Sequence, residues 1–287
     1  MTYRQLWQRL SAVYGDGEAK AMARLIYEER YGLSLSDLLA GRDADVPQEE
    51  LEQITRRLED HEPVQYILGQ TDFCNRTFWV DEHVLIPRPE TAELCRWIVQ
   101  EVGGKSPLRA TCTILDIGTG SGCIAVTLGA ELPAAKVTAW DISEDALQVA
   151  RKNASRHNVQ IAFQQVDILN PQHFLTVGQR VALQSTFNVI VSNPPYICYK
   201  EQVAMDANVL EYEPYEALFV PDEDPLLFYR AIARYGLSAL VSGGWLYFEM
   251  NPIYAQPLNE MLNMMSYRDI EIRTDLYGKQ RMIRARL

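Results

Sequence analysis

The chain predicts an α/β fold, a mostly parallel doubly wound sheet preceded by a small helical unit. Two patterns point there. From residue 111 onward, short β-branched runs alternate with helical stretches, the order of a parallel sheet covered on both faces. A glycine-rich segment, ILDIGTGSGCIA, joins the first of these runs to its helix, as in folds that bind a nucleotide-like ligand at the strand ends.

The elements follow in order. Between Tyr3 and about Gln65, Leu6, Leu10 and Val13, then Met22, Leu25 and Ile26, then Leu51, Ile54 and Leu58 recur at helical spacing. Asp16, Ser36 and Pro47 stand where helices are expected to start, and Gly32 and Gly41 where they break, giving four or five helices. TDFCNRTFWVDEHVLIP, residues 71–87, shifts to alternating aromatic and β-branched residues and predicts a β-hairpin. A helix near Glu90–Val102 comes next. Then follow strand TCTILDIG, helix Gly122–Leu132, strand KVTAWDIS, helix Glu144–His157, and strands VQIAFQQVDI and FNVIVSN. Helix Pro225–Leu240, strand GGWLYFEM, helix Tyr254–Met264 and strands DIEIRT and RMIRARL complete the chain. The expected domains are a helical unit over 1–68, a hairpin linker over 69–88 and the α/β domain over 89–287.

Composition narrows the function. With 47% hydrophobic and 23% charged residues the chain reads as a globular protein. No apolar run of membrane-spanning length and no basic-then-apolar start occurs, so a cytoplasmic protein without membrane contact is expected. Cys74, Cys95, Cys112, Cys123 and Cys198 form no CxxC pair, and His61, His83, His157 and His173 no HxxxH pair, so no metal is expected. A net charge of −11, from 38 acids against 27 bases, argues against a dedicated nucleic-acid binder.

Asp116 ends the first strand of the alternating series, and Gly118, Thr119, Gly120, Ser121 and Gly122 form the turn into its helix. Glycines there permit a sharp turn and close approach of a ligand to the backbone. The spacing is GxGxG. Cys123 occupies the position where a dinucleotide fingerprint requires glycine or alanine, which counts against NAD. Asp141 ends the next strand, where an acid accepts hydrogen bonds from both hydroxyls of a ribose. Together these features fit S-adenosyl-L-methionine, whose sulfonium cation suits an acidic pocket without phosphate. Asp167 is placed to accept from the adenine amino group, with Ile168 packing on the ring.

The strand FNVIVS ends in Asn193-Pro194-Pro195-Tyr196. An amide or aryl-amine nitrogen is a poor nucleophile because its lone pair is delocalised, so a catalyst must hold the NH2 group with that lone pair toward the methyl donor. The Asn193 side-chain oxygen can accept one N–H and the Pro194 carbonyl the other. The prolines fix φ and keep the carbonyl out of a ladder, and Tyr196 offers an aromatic face to a planar group. Oriented acceptors stabilise the charge that builds on nitrogen without a strong base.

NPPY with this glycine turn resembles the class I S-adenosylmethionine-dependent methyltransferases that modify exocyclic or amide nitrogen. EPVQYILGQTDF (62–73), LIPRPETAEL (85–94) and YEPYEAL (212–218) are similar to segments of one family among them, the PrmC/HemK protein-(glutamine-N5) methyltransferases. The resemblance spans residues 60–287. It implies a Rossmann-like, seven-stranded sheet, and S-adenosylmethionine held by Gly118–Gly122 and Asp141 with Ile168 against adenine. It further implies substrate glutamine held by Asn193–Tyr196, and S-adenosyl-L-homocysteine as co-product. The implied partner is a peptide chain release factor, methylated on the glutamine of its GGQ loop while the helical unit holds its body. Arg88 of PRPET either steadies the loop that closes the site, meets the substrate backbone, or forms a salt bridge within the hinge. The stretch ALFVPDEDPLLFYR lacks the family's usual glycines, and no contacts are assigned to it. Methylation of a ribosomal-protein glutamine and of a nucleic-acid adenine or guanine are the alternatives; a binding module carrying an inactive methyltransferase is the non-enzymatic one.

Overall fold

The computed structural model describes residues 1–43, 45–103, 112–170 and 187–287, and divides into two compact units. Thr111, the first residue of the expected strand TCTILDIG, lies outside the described residues.

One unit comprises Met1–Thr71 and Met205–Tyr212. Helix α1 (Tyr3–Tyr31) starts in a capping box between Thr2 and Gln5, breaks at Gly15 (φ 74°, ψ 165°) and ends on Gly32 in the left-handed region. The expected restart at Asp16 is therefore real, although the chain resumes helix at once. Helix α2 (Leu35–Leu39) is capped by Ser34, two residues before the expected Ser36, because the Asp37 carboxylate can return a bond to the Ser34 N–H. Helix α3 (Gln48–Glu59) begins after Pro47 as expected, and α4 (Val64–Leu68) closes on Gly69. Leu6, Leu10, Ile26, Leu51 and Leu58 are fully buried, each contributing about 1.5–3 kcal/mol relative to exposure. Val13 faces solvent instead.

The expected hairpin is shorter than residues 71–87. Strand β1 (Gln70–Phe73) pairs with β2 (Arg76–Trp79), and residues 80–88 form no strand. Pro87 and Pro89 cannot donate to a ladder, and Pro89 instead opens helix α5 (Pro89–Gly103) at the position where a missing N–H is harmless.

The second unit, Asp72–Ala204 with Glu213–Leu287, carries the α/β fold. Its strands are β3 (Thr113–Ile117), β4 (Lys136–Asp141), β5 (Ile161–Gln165), β6 (Phe187–Ser192), β9 (Leu240–Glu249), β10 (Arg268–Thr274) and β11 (Gln280–Arg286). A short parallel pair, β7 (Ile197–Cys198) with β8 (Phe219–Val220), stands apart and was not foreseen. The main sheet runs β10-β11-β9-β6-β3-β4-β5, parallel from β9 to β5 and antiparallel at β11. Alternate residues feed opposite faces: Ile114, Val189 and Val191 join one core, while Leu115, Ile117 and Ile190 join the other. The turn into α6 (Cys123–Glu131) follows β3, and α7 (Glu144–Arg156) follows β4. Chain order reverses between β3 and β6, and ligands of such sheets bind beyond the strand ends at that reversal.

Candidate active site

Strand register brings the chemistry into one row. Ile117 pairs with both Trp140 and Ser192, and Ser192 pairs with Phe248. The next residue of each strand therefore lies at one level: Gly118 and Asn193 just past the ends of β3 and β6, Asp141 and Glu249 as the last residues of β4 and β9. Sequence reasoning found three of these four.

The glycine turn faces inward with its amides. Gly118 and Thr119 N–H donate to the Trp140 carbonyl (2.8 and 2.9 Å), Gly120 N–H donates to Asp141 Oδ2 (2.8 Å), and Gly122 N–H donates to the Thr119 carbonyl (2.8 Å). A loop whose N–H groups are used this way is not a phosphate cradle. Gly118 and Gly120 have φ of 72° and 52°, and a Cβ on either would project into open space with nothing within 4 Å. Their backbone thus presents an unobstructed wall. A Cβ on Gly122 would come within 3.1 Å of the Ala150 Cβ, so that glycine serves helix packing.

Asp116 supports the turn from beneath. It is fully buried, and its Oδ2 accepts from Thr119 Oγ1 (2.6 Å) and Ala125 N–H (3.2 Å). Burial pushes its carboxyl up to about 7, with the Asp141 charge adding a smaller push and the two hydrogen bonds opposing. Thr119 and Ser121 are also buried, and with Asp116 they hold the shape of the turn. Asp141 accepts from Gly120 N–H at Oδ2 and from Ser143 N–H at Oδ1 (3.0 Å). Burial raises its pKa despite those bonds. Each oxygen retains a lone pair for a hydroxyl donor. Asp167 Oδ1 accepts from Leu169 N–H (2.9 Å), and Ile168 is buried in the core that includes Leu115 and Trp140.

Asn193 has an open acceptor. Its Nδ2 donates to Thr91 Oγ1 (3.3 Å), while its Oδ1 is buried without a hydrogen-bond partner among the described residues. Such an oxygen costs stability unless a ligand donates to it. Thr91 Oγ1 donates in turn to Glu249 Oε2 (2.6 Å), and Tyr196 Oη donates to Glu249 Oε1 (3.1 Å). Glu249 is 1% exposed, and burial raises its pKa against the two hydroxyl donors. Asn251 Nδ2 reaches the Tyr196 carbonyl (3.3 Å) and the Glu201 carboxylate (3.1 Å).

Arg88 pairs with Glu213 (2.5 Å), whose other oxygen accepts from Ile86 N–H (3.2 Å). The salt bridge that Arg88 makes is not one within the hinge: its partner Glu213 lies 125 residues further along the chain. Thr91, Glu213, Glu249 and Asn251 escaped sequence reasoning. The available signal for Glu249 was an acid at the end of an otherwise apolar strand, the same signal that marked Asp116 and Asp141.

Residues 3–69 match the PrmC N-terminal domain, and residues 105–211 match the Methyltransferase small domain. The release factor glutamine methyltransferase of Bacteroides thetaiotaomicron is 46% identical over 97% of this chain and 96% of its own. That of Flavobacterium psychrophilum is 40% identical over 98% and 96%, and that of Streptococcus pneumoniae 37% over 93% and 92%. Among solved structures, the hMettl16 catalytic domain in complex with the MAT2A 3′UTR hairpin 6 aligns with a TM-score of 0.55 at 16% identity, over 94% of this chain and 81% of that one. This likeness is one of fold.

Proposed function

The chain belongs to the release factor glutamine methyltransferases, and from that premise we propose that it methylates the side-chain amide nitrogen of the GGQ glutamine of peptide chain release factors, with S-adenosyl-L-methionine as donor. The observation that carries this reading is the buried Asn193 Oδ1, without a hydrogen-bond partner among the described residues, at the level of the glycine turn and Asp141.

The residues present suit the donor. Asp141 offers acceptors to the two ribose hydroxyls, and Gly118 and Gly120 leave room along the backbone. The turn's inward amides suit a ligand without phosphate, and Asp167 and Ile168 are assigned to the adenine amino group and ring. When bound, S-adenosylmethionine supplies an electrophilic methyl group on a sulfonium. Asn193 Oδ1 takes one N–H of the substrate amide and the Pro194 carbonyl the other, turning the NH2 group so that its lone pair faces the methyl. Pro195 holds the backbone in that course, and the Tyr196 ring bounds the planar amide. Both acceptors are in place before charge develops on nitrogen, so no reorganisation is needed as it does. The surplus proton of the N-methylated amide is acidic and passes to water.

The helical unit is assigned to the body of the release factor. It carries a cavity of about 460 Å³ lined by Tyr14, Glu18, Arg24, Leu25, Glu28 and Glu62, where Arg24 pairs with Glu28 and Arg57 with Glu62. No helix among the described residues is long and apolar enough to cross a membrane. A translation substrate places the protein in the cytoplasm, and the reading needs no direct nucleic-acid contact.

The test is transfer of labelled methyl to purified release factor, beside the same factor with its GGQ glutamine replaced. Label on the first alone is expected. Label on both overturns the target residue; label on neither, with transfer to a ribosomal protein, overturns the substrate.

A further inference from the structure

We propose that Thr91 and Glu249 are positioning residues that set which way the Asn193 amide faces, holding its nitrogen inward and its oxygen toward the substrate. The inference rests on the glutamine-methylation reading, and it follows from counting protons along a chain of side chains.

A side-chain amide can be turned end for end at little steric cost, because its oxygen and nitrogen differ little in size. Only hydrogen bonding distinguishes the two orientations. In one, Asn193 Oδ1 is open and can accept a substrate N–H. In the other, an NH2 group points at the substrate NH2, donor against donor, and the site is useless. Asn193 alone therefore does not define an acceptor.

Thr91 Oγ1 sits between Asn193 Nδ2 (3.3 Å) and Glu249 Oε2 (2.6 Å). A hydroxyl has one proton, and the shorter contact with a carboxylate claims it. What Thr91 then shows Asn193 is a lone pair, which only Nδ2 can meet. Glu249 is itself held: its second oxygen accepts from Tyr196 Oη (3.1 Å), and its backbone carbonyl accepts from Tyr229 Oη (3.2 Å). In the ionised state that its two hydroxyl donors favour against burial, the carboxylate has no proton to return to Thr91, and polarity then runs one way from Glu249 through Thr91 to Asn193. The same carboxylate pins the Tyr196 hydroxyl, so a single buried acid orients two members of NPPY. Thr91 is 2% exposed and Glu249 1%, which keeps water from substituting for either. Their separation of 158 residues leaves no local reason for the pairing.

The experiment measures kcat, KM for release factor and the dissociation constant for S-adenosylmethionine in wild type, Thr91→Val, Thr91→Ser and Glu249→Gln. Valine keeps the shape and removes the hydroxyl. Thr91→Val is expected to lower kcat by about 10- to 100-fold, with cofactor affinity within about twofold, and Thr91→Ser is expected to restore most of the loss. Glu249→Gln replaces one acceptor by a donor and lowers kcat in the same way. Unchanged kcat in Thr91→Val or in Glu249→Gln overturns the proposal, as does a loss that Thr91→Ser shares in full. A second readout needs no substrate: hydrogen exchange of the Asn193 side-chain NH2, assigned by its disappearance in Asn193→Asp. Slow exchange in wild type that accelerates in Thr91→Val supports the relay, and equal exchange in both overturns it. If wild type fails to label any release factor, the functional reading falls, and the exchange comparison still decides the relay.

Discussion

The two halves of the site lie at one level of the sheet but are held by different means. On the donor half, the Asp141 carboxylate is gripped by the backbone N–H groups of Gly120 and Ser143. On the acceptor half, Asn193 is gripped by a side-chain hydroxyl that is itself set by a buried carboxylate. Backbone donors come with any chain that makes the turn, so the first grip needs only glycines and an acid at the strand end. The second needs particular side chains from α5 and β9 to meet those of the segment that follows β6. The donor half is therefore tolerant in chemistry and strict in backbone shape, and the acceptor half is the reverse.

The largest effect that bears on this contrast falls on the acceptor half. Asn193→Ala is expected to lower kcat by about 100- to 1,000-fold while the S-adenosylmethionine dissociation constant stays within about twofold, read by steady-state kinetics beside calorimetry. Equal damage to both constants would mean that the halves are not separable.

Asp116 sharpens the contrast through pH. Its pKa is raised to about 7 against an ordinary 3.8, so between those values the native state holds a proton that the unfolded chain has released. Stability from this group is full below pH 4 and falls as pH rises toward 7, by up to about 4 kcal/mol at 1.36 kcal/mol per unit. Asp116→Asn removes that slope. Urea unfolding at pH 5 and pH 8 should show the variant gaining on wild type at the higher pH, and parallel curves would refute the assignment.

Asp141→Ala removes an acceptor for ribose and frees the Gly120 N–H. It is expected to weaken S-adenosylmethionine binding by about 30- to 100-fold, or roughly 2–3 kcal/mol, with kcat at saturating donor changed far less. That outcome mirrors Asn193→Ala, and a kcat loss at saturation would break the symmetry.

The smallest effect is structural. Arg88→Met leaves the Glu213 carboxylate, 5% exposed, with the Ile86 N–H as its one remaining partner among the described residues, and should lower stability by about 1–2 kcal/mol in thermal unfolding. A selective loss of substrate affinity at unchanged melting temperature would instead return Arg88 to the substrate.

Much of the fold was legible because its signals are local. Strand and helix periods, Gly32 and Pro47 at helix ends, and the glycine turn are each decided within a few residues of chain. The misses have a common cause. Ser34 caps α2 because Asp37 reciprocates, which a two-residue shift conceals. The hairpin stops at Trp79, because its partner strand begins only at Gln70, just after α4 and Gly69, and leaves nothing for residue 80 onward to pair with. The short β7–β8 pair joins residues 22 positions apart, across a 3-10 turn and two short helices, so no local turn announces it.

By itself, the sequence determined the alternating sheet, the acid at the end of each early strand, the glycine turn and an amide followed by two prolines, because strand period, backbone freedom and proline's missing N–H act within a few bonds. Only the tertiary structure decided that Gly118, Asp141, Asn193 and Glu249 share a level, since register is a property of paired strands. It also decided which way the Asn193 amide faces. That direction depends on one proton shared between Thr91 and Glu249, residues that only the folded sheet brings within 2.6 Å.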